Sequence, residues 1–343
     1  MVGRRSIFND PEVATLALRF VPAADEVGML QRKTTKGPEA EWFRTVAEQG
    51  HYGGRTVPTD TRQGIYAAAP SGVLLASMNH NDPRRVAAML TKALAAWDAM
   101  SREKRLPPEA LEKAPSDRKR WETLYPADGL VLRVHTRDAG RDVGREGAAG
   151  EGGDWRRRAW NLDFAWFHRD EALAMVPSER KPGARVDVPA PIVRRIARLY
   201  LVDDVRGQTP AYEDRAIEKA SLSAEVARVE DRRVVLRLVG EARVVAKGRW
   251  PVGGVRDMNA PTPQERGFDG KFLGRATFDV ATGRFVAFEL VALGSRWGAT
   301  QYNGRTDDPG PAPMGVAFTL AGDSPADHVA PASMWEYGWG GPR

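Results

Sequence analysis

Apolar positions along this chain follow two regimes. Up to residue 105 most of them recur at helical spacing, and from Lys219 onward they alternate with a period of two. Asp10-Pro11-Glu12 predicts a helix start, with Asn9 or Asp10 capping, and Val13, Leu16, Ala17 and Phe20 form its apolar stripe. Arg19 to Asp25 reads as a short buried strand. Pro38 opens a second helix whose Trp42, Phe43, Val46 and Ala47 share a face. Residues 61–77 predict two apolar strands around a Pro70-Ser71-Gly72 turn. Asn81-Asp82-Pro83 then caps the clearest amphipathic helix, with Val86, Met89, Leu90, Ala93, Leu94, Trp97 and Met100 on one side.

Residues 101–120 hold three prolines and few apolar side chains, which predicts a boundary, with a partly helical stretch at Glu109–Lys113. The domains are therefore read as 1–105, a linker 106–120, and 121–343. In the last, Gly129–Arg137 is a strand and Asp138–Asp154 a glycine-rich excursion. Trp155–Phe167 is an aromatic run that needs a core beneath it, and Arg169–Met175 and Pro191–Leu201 are short helices. Leu222, Ala224 and Val226, then Val234, Leu236 and Leu238, alternate with polar neighbours around a Glu230–Arg233 turn. Phe272–Val280, Phe285–Leu293, Met314–Leu320 and Met334–Trp339 extend the series. The expected class is α+β, with an antiparallel β-rich unit curled into a sandwich or half-barrel and covered by a few helices.

The order helix, strand, helix, loop, hairpin, helix, with Phe8-Asn9-Asp10-Pro11-Glu12-Val13 leading into Arg19-Phe20-Val21-Pro22-Ala23, resembles thioredoxin-like domains. Gln63-Gly64-Ile65-Tyr66 before a turn and a second strand is similar to bacterial relatives of the selenoprotein-N thioredoxin module. The likeness spans about residues 5–102 and implies a thioredoxin-like α/β unit. It also implies a redox pair ahead of the helix that contains Pro11 to Leu18, at or before Met1, and a cis-proline before Gly64. The chain has no cysteine, and Thr61-Arg62-Gln63 stands where that proline belongs. The implied unit is a scaffold without dithiol exchange, unless a redox motif precedes Met1.

The formal charge of +6 does not single out a polyanion partner. Residues 1–105 carry 15 Lys/Arg against 11 Asp/Glu and the remainder 36 against 34, so basic side chains are interleaved with acidic ones rather than gathered on a stripe. The densest run, Arg156-Arg157-Arg158, reads as solvated surface, and no nucleic-acid partner is expected. Neither a membrane span nor a signal peptide is expected, because no apolar run is long enough. With no thiolate and with His51, His80, His135, His168 and His328 at no short ligand spacing, no metal or cofactor is expected. His80 reads as a capping-region residue and His135 as a strand residue on a mixed face.

Two polar clusters stand out. His51, Arg55, Arg62 and Gln63 precede the hairpin, and His51 and Arg62 are candidates for a small anion. Arg296, Trp297, Gln301, Tyr302, Asn303 and Arg305 place aromatic surfaces beside amide and guanidinium donors between two strands, which suits a small polar ligand. The same composition suits a long loop pinned by its own side chains. Glu289 and Asp163 are the carboxylates to examine for acid–base work, Glu289 because its parity with Phe285 and Ala287 predicts burial. The leading reading is a non-catalytic protein that binds a small polar ligand or a protein partner. The alternatives are a hydrolase using carboxylates of the β-rich unit and a thiol-redox protein whose motif lies upstream.

Overall fold

The computed structural model describes residues 6–24, 27–53, 61–80, 82–106, 121–140, 159–253 and 261–340. The Glu109–Lys113 helix, Arg55, most of the 138–154 excursion and the Arg156–Arg158 run lie outside them. The chain divides into two compact units, one within Ile7–Arg118 and one within Lys119–Arg343.

In the smaller unit, α1 (Pro11–Ala17) starts as its chemistry dictates. The Asp10 carboxylate accepts from the backbone N–H of Glu12 and Val13, and Pro11 occupies the first turn, where no N–H is needed. Helices α2 (Val27–Leu30) and α3 (Pro38–Glu48) follow. Strands β1 (Ile65–Ala68) and β2 (Leu74–Met78) pair antiparallel around a turn whose Gly72 adopts φ +84°, open to glycine and costly for other residues. Asp82 caps α4 (Pro83–Asp98) through the N–H of Arg84, and α5 (Arg102–Arg105) ends the described part. Ile7, Val13, Ala67, Ala76, Val86, Met89, Leu90 and Ala93 form the core. The strand expected at Arg19–Asp25 does not form among the described residues. Val21 is almost fully exposed, and the hairpin remains a two-stranded sheet.

The larger unit is one eight-stranded antiparallel sheet. Its strands are β3 (Leu130–Asp138), β4 (Trp160–Phe167), β5 (Arg185–Asp187), β6 (Ile217–Glu230), β7 (Arg233–Trp250), β8 (Thr262–Asp279), β9 (Arg284–Trp297) and β10 (Ala312–Leu320). Their order is β4-β3-β10-β9-β8-β7-β6-β5, so the expected antiparallel β-rich unit forms. Of the two arrangements expected for it, sandwich or half-barrel, the two-sheet sandwich gives way to a single sheet with β4 and β5 at its ends. Between β4 and β5 lies α6 (Arg169–Leu173), and α7 (Ala190–Tyr200) follows β5. The apolar stripe of α7, Ile192, Val193, Ile196, Ala197, Leu199 and Tyr200, packs on the inner face of the sheet.

That face is a checkerboard of large and small side chains. One cross-strand row runs Leu222, Gly240, Phe272, Ala292, Val316, and the next runs Ala224, Leu238, Gly274, Leu290, Phe318. At Gly240 a Cβ would sit 2.1 Å from the Ser221 carbonyl oxygen, so backbone approach demands glycine there. Residues Met334–Glu336, expected in a strand, form a 3-10 turn instead.

Side chains rather than a further strand occupy the outer edge of β4. The Phe164 carbonyl accepts from the Tyr200 hydroxyl at 2.9 Å and the Trp166 N–H donates to the Tyr337 hydroxyl at 3.2 Å. The Trp166 carbonyl accepts from Arg195, and the Phe164 N–H donates to the carboxylate of Asp163. Tyr200 and Tyr337 also hydrogen-bond each other. Arg195 is held by both oxygens of Glu171 and lies 4.6 Å from the Tyr337 ring centroid.

Candidate functional site

The β9–β10 connection expends most of its polar side chains on itself. Arg305 is fully buried. Its guanidinium forks onto Asp203 at 2.7 and 3.0 Å and onto Asp138 at 2.6 and 3.0 Å, and reaches Asp308 at 3.1 Å. Arg296 donates to the Asp308 carboxylate at 2.6 Å and to the carbonyls of Asp308 and Gly310. Arg206 bridges Asp138 and Asp308 at 2.9 and 3.1 Å. Three guanidinium groups thus meet three carboxylates, and the charges balance. Burial works against the Asp308 anion, but Arg296, Arg206 and Arg305 together hold its carboxyl below the usual range.

Asn303 completes the lock. Its side chain accepts from the N–H of Thr300 and of Arg305 and donates to the Gly298 carbonyl. Among the expected ligand contacts, Arg296, Asn303 and Arg305 are therefore inside the protein. Trp297 lies elsewhere, with its indole N–H on Glu265 at 3.0 Å and Arg243 above its ring. Of this set Tyr302 is about half exposed, and Trp297 and Gln301 are part-buried.

The other candidates are similarly engaged. His51 stacks on Tyr66 and sits 2.9 Å from the Ser77 hydroxyl, while Arg62 pairs with Glu48 at 2.9 Å. His80 accepts from the N–H of Asp82, and burial lowers its pKa first, with Arg85 adding to the effect. His135 stacks on Trp160, and its pKa is lowered by burial and then by Arg133. Asp163 accepts from the N–H of Phe164 and of Ala332 and ties the C-terminal segment to β4. Glu289 overturns its expected burial: it is exposed and paired with Arg275 at 2.7 Å. The cause is a bulge in the β8–β9 register, where Thr277 faces Ala287 and Phe278 faces Phe285. The extra residue, Val286, turns every later side chain over, so Phe288 and Leu290 point inward and Glu289 outward.

One strongly perturbed carboxyl group escaped the sequence reading. Asp204 follows α7, keeps some exposed surface, and accepts from the Thr209 N–H at 2.7 Å. Burial pushes its carboxyl up to about 8, with the negative charges of Asp163 and Asp203 adding to the effect. Arg266, stacked 4.4 Å from the Tyr212 ring centroid, has its pKa lowered by burial. No local spacing announces either residue.

The outer face of the sheet carries a different feature. Register partners on six successive strands, Val239, Leu273, Val291, Ala317, His135 and Leu162, line up as one row. At about 4.8 Å per strand the row is roughly 24 Å long. Leu273, Leu293 and Val291 are exposed at 67%, 56% and 42%. On one side the neighbouring row is charged and internally paired, Glu225 with Arg237 and Arg275 with Glu289. The outer face thus carries an exposed apolar strip bordered on one side by paired charges.

Among the described residues no cluster of acidic or histidine side chains could hold a metal ion, and no helix is long and apolar enough to cross a membrane. No protein-family model matches the chain, and no match is found among curated proteins or solved structures.

Proposed function

We propose that this chain is a non-catalytic interaction protein, in which a thioredoxin-like unit serves as a scaffold and the β-rich unit engages a macromolecular partner through the outer face of its sheet. The observation that carries this reading is the exposed apolar row through Leu273 and Val291, on a sheet whose other face already has its core. The polar side chains that would hold a small ligand or cut a bond are instead used in internal ion pairs and backbone hydrogen bonds. A chain without cysteine cannot itself exchange disulfides, which leaves the smaller unit a supporting role. The thioredoxin likeness rests on the sequence motifs and on the order of helices around the β1–β2 hairpin, without the strand expected at Arg19–Asp25.

The test is photo-crosslinking in the native cell extract, with a photoreactive analogue placed at Leu273 and, as control, at exposed Leu173 on α6. A discrete adduct from position 273 alone supports the reading. The absence of any adduct at 273, or equal labelling at both positions, overturns it.

A further inference from the structure

Resting on the assignment of the outer face as the interaction surface, we infer that its occupant is a second copy of this chain, packed face to face about a two-fold axis between β8 and β9. The argument is self-complementarity. A two-fold axis parallel to these strands places β8 over β9, β7 over β10 and β6 over β3 of the second copy. Along the apolar row, Leu273 then falls on Val291 and Val239 on Ala317. Along the charged row, Arg275 falls on Glu289 and Glu225 on Arg133, and each contact occurs twice by symmetry. The intramolecular Arg275–Glu289 pair thereby becomes a ring of four alternating charges around a dry seam. Aligned sheets pack with their strands within about 30° of each other, which this axis satisfies near its centre.

Other occupants lack such a match. The charged row, Glu225, Arg237, Arg275, Glu289, Thr319 and Arg133, holds two acidic and three basic residues, and the third, Arg133, is already paired with Asp327, so neither a polyanion nor an anionic lipid surface is favoured. The strip is also flush with the strands rather than sunk between helices, which offers no groove for a single amphipathic helix.

Sedimentation equilibrium on the full chain tests this. The expected mass is twice 37.7 kDa at micromolar concentration. Leu273→Arg places two cations on the seam and should weaken association by at least about tenfold, with circular dichroism and the melting transition of the monomer unchanged. Arg275→Glu sets like charges against each other and should also weaken it, whereas Arg275→Glu with Glu289→Arg restores the alternation and should recover the dimer. A wild-type chain that stays at 37.7 kDa up to about 100 μM overturns the inference. So does a dimer indifferent to Leu273→Arg, or a double charge swap no better than the single one. The two readings fail separately: a foreign adduct at position 273 on a monomeric chain removes the second copy and keeps the interaction face, whereas no adduct of either kind removes both.

Discussion

Arg305 and Asp138, 167 positions apart, meet through two hydrogen bonds of 2.6 and 3.0 Å in the interior. That pair ties the β9–β10 connection to the end of β3, and Asp203 on the far side of the same guanidinium ties both to the end of α7. Truncating Arg305→Ala leaves these carboxylates without their shared cation, and a loss of about 3–5 kcal/mol in urea denaturation is expected. Arg305→Lys should recover less than half of it, because an ammonium cannot fork onto two carboxylates at once.

Asp204 gives stability an unusual slope with pH. Its folded pKa, about 8, lies above the unfolded carboxylate value, so between roughly pH 4 and 8 the folded state retains a proton that the unfolded state has lost. Its contribution is complete below that window and declines as pH rises, by at most about 1.4 kcal/mol per unit. Asp204→Asn should flatten the slope and raise the melting temperature at pH 8 relative to wild type. Asp327 works in the opposite sense. Burial opposes its charge, but hydrogen bonds from Arg133 and Ser324 hold its pKa low, so its contribution is present above the ordinary carboxylate range and lost on acidification through the folded value. Denaturation curves at pH 3, 5 and 8 separate the two.

Tyr337→Phe removes the hydroxyl that accepts from Trp166 and pairs with Tyr200. The buried N–H of Trp166 is then unsatisfied, at a cost of about 1–3 kcal/mol. Amide hydrogen exchange at Trp166 should accelerate with it, a change that a mere loss of packing area would not localise.

Two glycines should respond differently to the same methyl group. Gly240→Ala forces a Cβ against the Ser221 carbonyl and should destabilise by about 1–3 kcal/mol. Gly310→Ala meets nothing within 4 Å and should be silent within about 0.5 kcal/mol in the same thermal melts.

Local chemistry made much of this fold readable. The Asp10 and Asp82 caps, the Gly72 turn, the α7 stripe and the alternation of β6 and β7 follow from residues close in sequence. The failures have long-range causes. Val21-Pro22 looks like strand, but nothing among the described residues pairs with it. Glu289 was misplaced because one bulge at Val286 reverses parity, and alternation carries no mark of a bulge. Arg305 looked like a ligand contact because its acceptors, Asp203 and Asp138, lie about a hundred residues or more away, and Arg296 because its acceptors, Asp308 and Gly310, are brought back to it only by the return of the β9–β10 connection. The outer row did leave a trace. Phe272-Leu273 and Leu290 to Leu293 are apolar on both parities, which a sheet with one dry face does not require.

The sealed margin of β4 bears on how the molecule ends rather than how it works. An open strand is a template, and each chain added to it offers another. Here Tyr200, Arg195, Asp163 and Tyr337 occupy the vacant backbone groups, and Tyr337 belongs to the last described stretch of the chain. A few side chains from beyond the sheet therefore take up the backbone groups that a foreign strand would need at β4, and close that margin to edge-to-edge pairing.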